Sequence, residues 1–309
     1  MISLGINKTN NYMTNSYFKE KFLVWHIQGG LGKNVAATAL PQSIKQKYPD
    51  RKLIMVVSYP EVFLNNPYVD RVYPLGNSPY FYEDFIENKD TLVFRHEPYN
   101  QTGHILKHKH LINNWCDLLG IEYSNQTPQL YPNYSEKINR QKWARDKPVV
   151  VLQTSGGELE SKNVYSWCRD MPQDIAQLIV DKYKDSFHIF HVSRQGGYAL
   201  NKVERIDTKL SNMELFSMLT VSSKRFLIDS SLQHAAVAIN LPSVVFWVGT
   251  SPQVFGYGIH TNIVAKQINN KNHLIGSYLF DYQFDYNVHE CPYNDLEEMF
   301  NLEKVINTI

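Results

Sequence analysis

Residues 225–249 constrain the fold more than any other stretch. They hold an apolar run, Phe226 to Ile228, a polar turn at Asp229, Ser230 and Ser231, an Ala-rich segment from His234 to Ile239, and a second apolar run, Ser243 to Val248. The first run is too short for a helix and breaks into residue types that cap helices. Ser230 or Ser231 would open the helix, Asn240 suits the left-handed residue that closes one, and Pro242 prevents continuation. Two strands joined through a helix run parallel in one sheet. Asp229, Ser230, Ser231, Gln233 and His234 are thereby placed at the carboxyl edge of that sheet, where open α/β folds bind ligands. Free N–H groups and the positive dipole end of the helix suit an anion such as a phosphate there.

The same unit recurs. Phe22 to Ile27 reads as a strand, Gln28-Gly-Gly-Leu-Gly32 as a tight turn, and Asn34 to Lys47 as a helix carrying Val35, Ala39 and Ile44 inward. Further strands are expected at Lys52–Ser58, Arg71–Leu75 and Thr91–Arg95, with a long helix over His104–Leu119 ending at Gly120. After a polar, charged stretch from Pro132 to Lys147 the strands begin afresh at Val149. This divides the chain into an N-terminal extension (1–21), a first domain (22–147) and a second (148–309). In the second, strands are expected at Phe187–Val192, Phe226–Ile228, Ser243–Val248 and Asn262–Val264, with helices at Gln173–Tyr183 and Asn212–Thr220. A terminal amphipathic helix, Leu296 to Ile309, could pack back on the first domain. The fold class is α/β, with two Rossmann-like domains facing a central cleft.

Composition narrows the partners. With 43% hydrophobic residues, conventional cores are affordable, and 31 basic against 30 acidic side chains give a net charge of +1. No global field recruits nucleic acid or an anionic membrane, although a local groove could still do so. Cys116, Cys168 and Cys291 are odd in number and far apart, which favours a reducing, cytoplasmic setting over a disulfide framework. Met1 to Lys21 lacks the apolar core of a signal peptide, and no stretch approaches the ~20 apolar residues of a membrane span. Tyrosines in turn-like segments such as Tyr80-Phe-Tyr82 suit either packing or carbohydrate stacking.

The glycine turn invites comparison with a phosphate-binding P-loop, but that loop needs Gly and a hydroxyl where Ile27 and Asn34 stand. Gly29, Gly30 and Gly32 instead let the backbone approach a ligand or simply make a tight turn, and Lys33 could meet an anion. In the second half Thr154-Ser-Gly-Gly157 follows a strand in the same way, so Thr154, Ser155 and Gly156 are suited to phosphate oxygens. Lys162, Arg169 and Arg194 supply cations. His104 and His108 are spaced to share a helix face and bind metal, but no third ligand is evident. Glu97, at a strand end, is a candidate general base or the partner of Arg95 in a structural ion pair. No nucleophile elbow, Cys/His pair or Asp-x-Asp metal pair is present.

Three segments then resemble a known family: Leu210-Ser-Asn-Met-Glu-Leu-Phe-Ser-Met-Leu219, Ile228-Asp-Ser-Ser-Leu-Gln-His-Ala-Ala236 and Leu241-Pro-Ser-Val-Val-Phe-Trp-Val-Gly-Thr-Ser-Pro252. The chain resembles glycosyltransferase family 9, the heptosyltransferase family, of the GT-B fold. In that family the pattern Asp-(Ser/Thr)-Gly-x-x-His-x-Ala contacts the phosphates and sugar of a nucleotide-sugar, a role the resemblance passes to Asp229, Ser230, Ser231 and His234. Ser231 stands where the family usually has Gly. The first half resembles the family's opening through Gly29-Gly-Leu-Gly32, Thr38-Ala-Leu-Pro41 and Asn65-Asn-Pro-Tyr-Val-Asp-Arg-Val72. There the family places Asp directly after the glycine, as its proposed base, and this chain has Lys33. A lysine does not replace a carboxylate as base at neutral pH unless strongly desolvated. Segments such as Tyr165-Ser-Trp-Cys-Arg169 suggest a divergent branch, of the kind bacteriophages carry.

The resemblance implies a metal-independent, inverting glycosyltransferase using no cofactor. It would bind a nucleotide-sugar in the second domain and a carbohydrate-type acceptor in the first, with Glu97, His104 or Lys33 nearest the chemistry. Two alternatives remain open: a non-catalytic nucleotide-sugar or glycan binder, and a transferase acting on modified DNA bases, which the near-neutral charge disfavours.

Overall fold

A computed structural model of the chain describes residues 19–106, 108–133, 140–156, 169–206, 210–266 and 293–309. β1 (Lys21–Ile27), β2 (Lys52–Val57), β3 (Arg71–Pro74) and β4 (Asp90–Phe94) form a parallel sheet in the order β3-β2-β1-β4. A second parallel sheet holds β5 (Val149–Gln153), β6 (His188–Val192), β7 (Glu204–Arg205), β8 (Ser222–Ile228), β9 (Val244–Trp247) and β10 (Thr261–Val264), in the order β10-β9-β8-β5-β6-β7. Both are α/β units of the expected class. The apolar runs of β1, β2 and β5 are buried over nearly their whole length, as strands covered on both faces must be.

Each sheet reverses its strand order once. In the first, the chain builds β1, β2 and β3 outward to one side and then places β4 on the other side of β1. In the second it builds β5, β6 and β7 one way, then β8, β9 and β10 the other. The loops leaving the two strands at such a switch point diverge and open a crevice at their carboxyl ends, the usual ligand site of an open α/β sheet. Here the crevices lie between the ends of β1 and β4 and between those of β5 and β8.

Three expected helices are broken. Asn34–Lys47 is two helices, Leu31–Ala37 and Pro41–Lys47, because the turn between them tightens through Thr38 N to Val35 O and Leu40 N to Ala37 O bonds and Pro41 restarts the helix at its first position. His104–Leu119 is likewise divided into Thr102–Ile105 and Leu111–Leu119. His108 and Lys109 both turn back to donate to Gly103 O, and the His110 ring caps the second helix by accepting from Ile112 N. His104 and His108 therefore share no helix face. Gly120 does end the helix in the left-handed region, at φ 62°. The terminal segment forms Leu296–Met299 and Leu302–Thr308, whose Phe300, Val305 and Ile309 join the second domain's core rather than the first's.

The domain seam also moves. A short helix, Arg140–Trp143, docks on the second unit: the Trp143 indole donates to Ser217 Oγ at 3.0 Å and meets Phe190 edge-on at 5.4 Å. The seam thus precedes Arg140, because one buried Trp outweighs the charged residues around it. The two units are not independent bodies, since a single apolar cluster runs from Leu23 and Trp25 through Leu232, Ala236 and Trp247.

Candidate functional site

At the first switch point the glycine turn is held open to solvent by its own backbone. Gly29 sits at φ 118°, which only glycine adopts readily, and Asn34 Nδ2 donates to Gly29 O and Gly30 O at 3.2 and 3.0 Å. Lys33, in the first turn of the following helix, folds inward until it is 8% exposed. Its Nζ lies 2.5 Å from Glu97 Oε2 and 4.7 Å above the Tyr99 ring. Burial lowers the Lys33 pKa, while the bond and charge of Glu97 oppose that shift. Glu97, just beyond β4, therefore pairs with Lys33 and not with Arg95. Behind them the His104 ring is fully buried, stacked on Tyr99 at 4.7 Å and edge-on to Phe255 of the second unit, with its pKa pushed down to about 4 by burial and secondarily by Lys33. In front of the pair opens a pocket of about 230 Å³, lined by His26, Gln28, Lys33, Arg95, His96 and Glu97 among others.

At the second switch point the polar residues bond to one another across strand ends. Gln153 Nε2 donates to Ser230 Oγ at 2.9 Å and to Ser155 O at 3.2 Å, tying β5 to β8. Thr154 Oγ1 pairs with His191 Nε2 at 2.7 Å, and Ser155 Oγ accepts from Arg194 N at 2.7 Å, tying β5 to β6. The Arg194 guanidinium is committed to Asp170 and to Gly156 O, so it fixes the loop and is not a spare cation. Asp170 is raised to about 6 by burial, against the pull of Arg194. Asp229 is buried too, and burial raises its pKa while the nearby Arg169 charge and the Thr250 hydroxyl lower it. Ser230 caps the Ser231–Ala238 helix in an extended conformation without a side-chain capping bond, so no cap side chain covers the start of the helix, although Gln233 N already bonds Ser230 O.

The two crevices meet. A Cβ on Gly32 would stand 3.2 Å from His234 Cδ2 and 3.4 Å from Ser231 N, so the helix after β1 and the helix after β8 cross at their N-terminal turns. His234, 4% exposed, is held from behind by the Tyr257 hydroxyl at 2.7 Å from its Nδ1, and burial pushes its pKa to about 3. Gln233 is turned away from the crevice, its Nε2 donating to Phe255 O at 2.9 Å.

The structure thus brings Gly29, Gly30, Gly32, Lys33 and Glu97 to one side, and Thr154, Ser155, Gly156, Asp229, Ser230, Ser231 and His234 to the other. Lys162 lies outside the described residues. Among the described residues no cluster of three or more His, Cys, Asp or Glu could hold a metal ion, and His108 is exposed while His104 is buried. Tyr99, Gln153, Asp170 and His191 were not anticipated. The clue for Gln153 was a polar residue closing the otherwise apolar run of β5.

No family model matches the sequence, and no curated protein matches it. The likeness is structural. The chain superposes on a glycosyltransferase family 9 protein from Veillonella parvula with a TM-score of 0.59 at 11% identity, covering 80% of this chain and 86% of that one. This is the GT-B fold of the heptosyltransferases. On ADP-heptose LPS heptosyltransferase II of E. coli the TM-score is 0.57 at 13% identity, with 93% and 99% of the two chains covered. On the iron-containing dodecameric glycosyltransferase TibC of enterotoxigenic E. coli it is 0.60 at 14%, with 94% and 77% covered. A further TibC structure holds ADP-D-β-D-heptose. In the described residues no helix is long and apolar enough to cross a membrane.

Proposed function

We propose that this chain transfers a sugar from a nucleotide-sugar to a carbohydrate-type acceptor, with inversion and without a metal. The observation that carries the reading is the convergence of two switch-point crevices at Gly32 and Ser231. It brings a helix N-terminus and the hydroxyls of Ser230 and Ser231 opposite the Glu97 carboxylate. The donor diphosphate is assigned to the second crevice, where the amides of the Ser231–Ala238 helix, the hydroxyls of Ser230 and Ser231 and the Arg169 charge stabilise the negative charge that grows as the glycosidic bond breaks. Likeness in fold to proteins titled as ADP-heptose transferases supports a diphosphate-linked donor.

Glu97 is the proposed base. Its side chain is 38% exposed and so can be reached by an acceptor, whereas His104 is sealed behind Tyr99. The resemblance led to the expectation of an acid at position 33, and the lysine there instead holds a carboxylate reached from β4. Glu97 would take the proton of an acceptor hydroxyl as its oxygen attacks the anomeric carbon, while the bonding pair leaves with the diphosphate from the opposite face. Lys33 neutralises and orients Glu97 and is itself no base while paired. The rival, a binder without turnover, draws its support from the missing acid at position 33; Glu97 beside Lys33 offers a carboxylate in its place and so supports the transferase reading.

The test is a panel of nucleotide-sugars, ADP-heptose included, assayed by calorimetry and by release of free nucleoside diphosphate with candidate acceptors. Binding with turnover is expected, abolished in Asp229→Ala or His234→Ala. Binding without turnover by any acceptor would favour the non-catalytic reading, and no binding at all would overturn both.

A further inference from the structure

His234 stands where the two crevices meet, and its neutral ring carries one proton on one of two nitrogens. Tyr257 decides which. The phenol is 9% exposed and burial holds its pKa well above the ordinary range, so it keeps its proton and needs an acceptor for it. Among the described residues the hydroxyl bonds only to His234 Nδ1, at 2.7 Å. Nδ1 therefore accepts, and the ring proton sits on Nε2. Gln233 does not disturb this assignment. Its Nε2 lies 3.3 and 3.1 Å from the two ring nitrogens, so nearly equidistant that it cannot lie in the ring plane without striking Cε1. It sits over the ring face and donates to Phe255 O.

The fold locks the phenol in that place. The short helix Pro252–Phe255, capped by Ser251, delivers the chain to Gly256, where an added Cβ would stand 2.6 Å from Pro252 Cβ and 2.8 Å from Pro252 O, so only glycine fits. Tyr257 follows directly, edge-on to His234 at 5.4 Å and flanked by His260 at 6.3 Å and by His110 of the first unit at 5.1 Å. Packed on these sides by residues of both units, the ring holds one orientation. The opposite edge of the imidazole faces the cleft. A Cβ on Gly32 would meet His234 Cδ2 at 3.2 Å, Nε2 at 3.5 Å and the Ser231 amide nitrogen at 3.4 Å. Nε2–H is thus turned toward the glycine backbone, beside the start of the Ser231–Ala238 helix, and among the described residues no acceptor takes it. A nearly buried N–H without an acceptor, next to a helix N-terminus, suits an anionic oxygen. The other tautomer would turn a lone pair on that oxygen and repel it.

We propose that Tyr257 is a positioning residue: by donating to Nδ1 it fixes His234 as an Nε2–H donor aimed at the diphosphate of the nucleotide-sugar. The role toward the diphosphate rests on the glycosyltransferase reading, but the hold on the ring does not. In untagged protein carrying isotope-labelled histidine, long-range proton–nitrogen correlation NMR shows which ring nitrogen bears the proton, the His234 signals being identified by their loss in His234→Ala. The wild type is expected as the Nε2–H form. Tyr257→Phe, which keeps the ring and removes the hydroxyl, should shift the Nδ1 signal, let the Nδ1–H form appear, and weaken ADP binding about tenfold or more in calorimetry. In the His234→Ala background the same substitution should leave ADP affinity unchanged. An Nδ1–H ring in the wild type, spectra that ignore Tyr257→Phe, or an ADP affinity that Tyr257→Phe leaves unchanged or lowers equally without His234 overturns the proposal. If ADP fails to bind the wild type while the tautomer still follows Tyr257, the donor reading falls and the hold of Tyr257 on the ring stands.

Discussion

Lys33 and Glu97 show how one residue's role depends on another far away in the chain. With Nζ buried, Lys33 needs its counter-ion, and Glu97 gains a fixed position at the mouth of the pocket. Glu97→Gln keeps the shape and removes the proton acceptor. Turnover should fall about 10²- to 10⁴-fold with nucleotide affinity nearly unchanged, and melting temperature should fall as well, because Gln leaves the buried Lys33 charge without its counter-ion. A fall in melting temperature without a kinetic loss would make Glu97 structural. The buried histidines give a second prediction. Burial depresses His234 to about 3, and His104, His110 and His191 to about 4, all from an ordinary 6.5. The unfolded chain therefore takes up these protons at higher pH than the folded one. The stability they contribute is complete above about pH 6.5 and is lost as pH falls toward the folded values. Melting temperature should decline steadily from pH 7 to pH 4, and a flat profile over that window would show that these rings are already solvated.

Among the elements, the crossing of the Leu31–Ala37 and Ser231–Ala238 helices sets the width of the cleft floor. Gly32→Ala puts a methyl 3.2 Å from His234 Cδ2, so one helix must yield by a few tenths of an ångström. A cost of about 1–3 kcal/mol is expected in denaturant titration, together with weaker nucleotide binding. Trp143→Ala empties a buried site in the second unit and should cost about 3–5 kcal/mol, while a loss below 1 kcal/mol would return the seam to Lys147. All strands but β7 were legible to within a few residues, because apolar runs bounded by Gly, Pro and Asp are local signals, whereas Glu204–Arg205 carries no apolar run. Helix continuity was not. Pro41 was readable as a break and was passed over. The break before Leu111 depends on the carbonyl of Gly103 accepting the amides of His108 and Lys109, which no periodicity reports.

At the scale of the molecule, the two sheets share a core, and the seam is reinforced by His110 against Tyr257 at 5.1 Å and by Asn212 Nδ2 donating to Glu61 Oε1 at 2.6 Å. Calorimetry should show one unfolding transition. Phe255→Ala, which removes the ring that meets both Tyr99 and His104, should lower it by about 3–5 kcal/mol without splitting it; two separated transitions would mean that the units are independent. The sequence by itself determined most of the strands, the parallel class, and the carboxyl-edge placement of the Asp229–His234 turn, because hydrophobic period and chain punctuation act between near neighbours. Only the tertiary structure decided that Lys33 meets Glu97 across 64 residues and Gln153 meets Ser230 across 77. It alone placed Gly32 against His234 and withdrew Arg194 into an ion pair with Asp170. Charge pairing and steric contact act through space, and the strand order that brings those side chains together is written in no single segment.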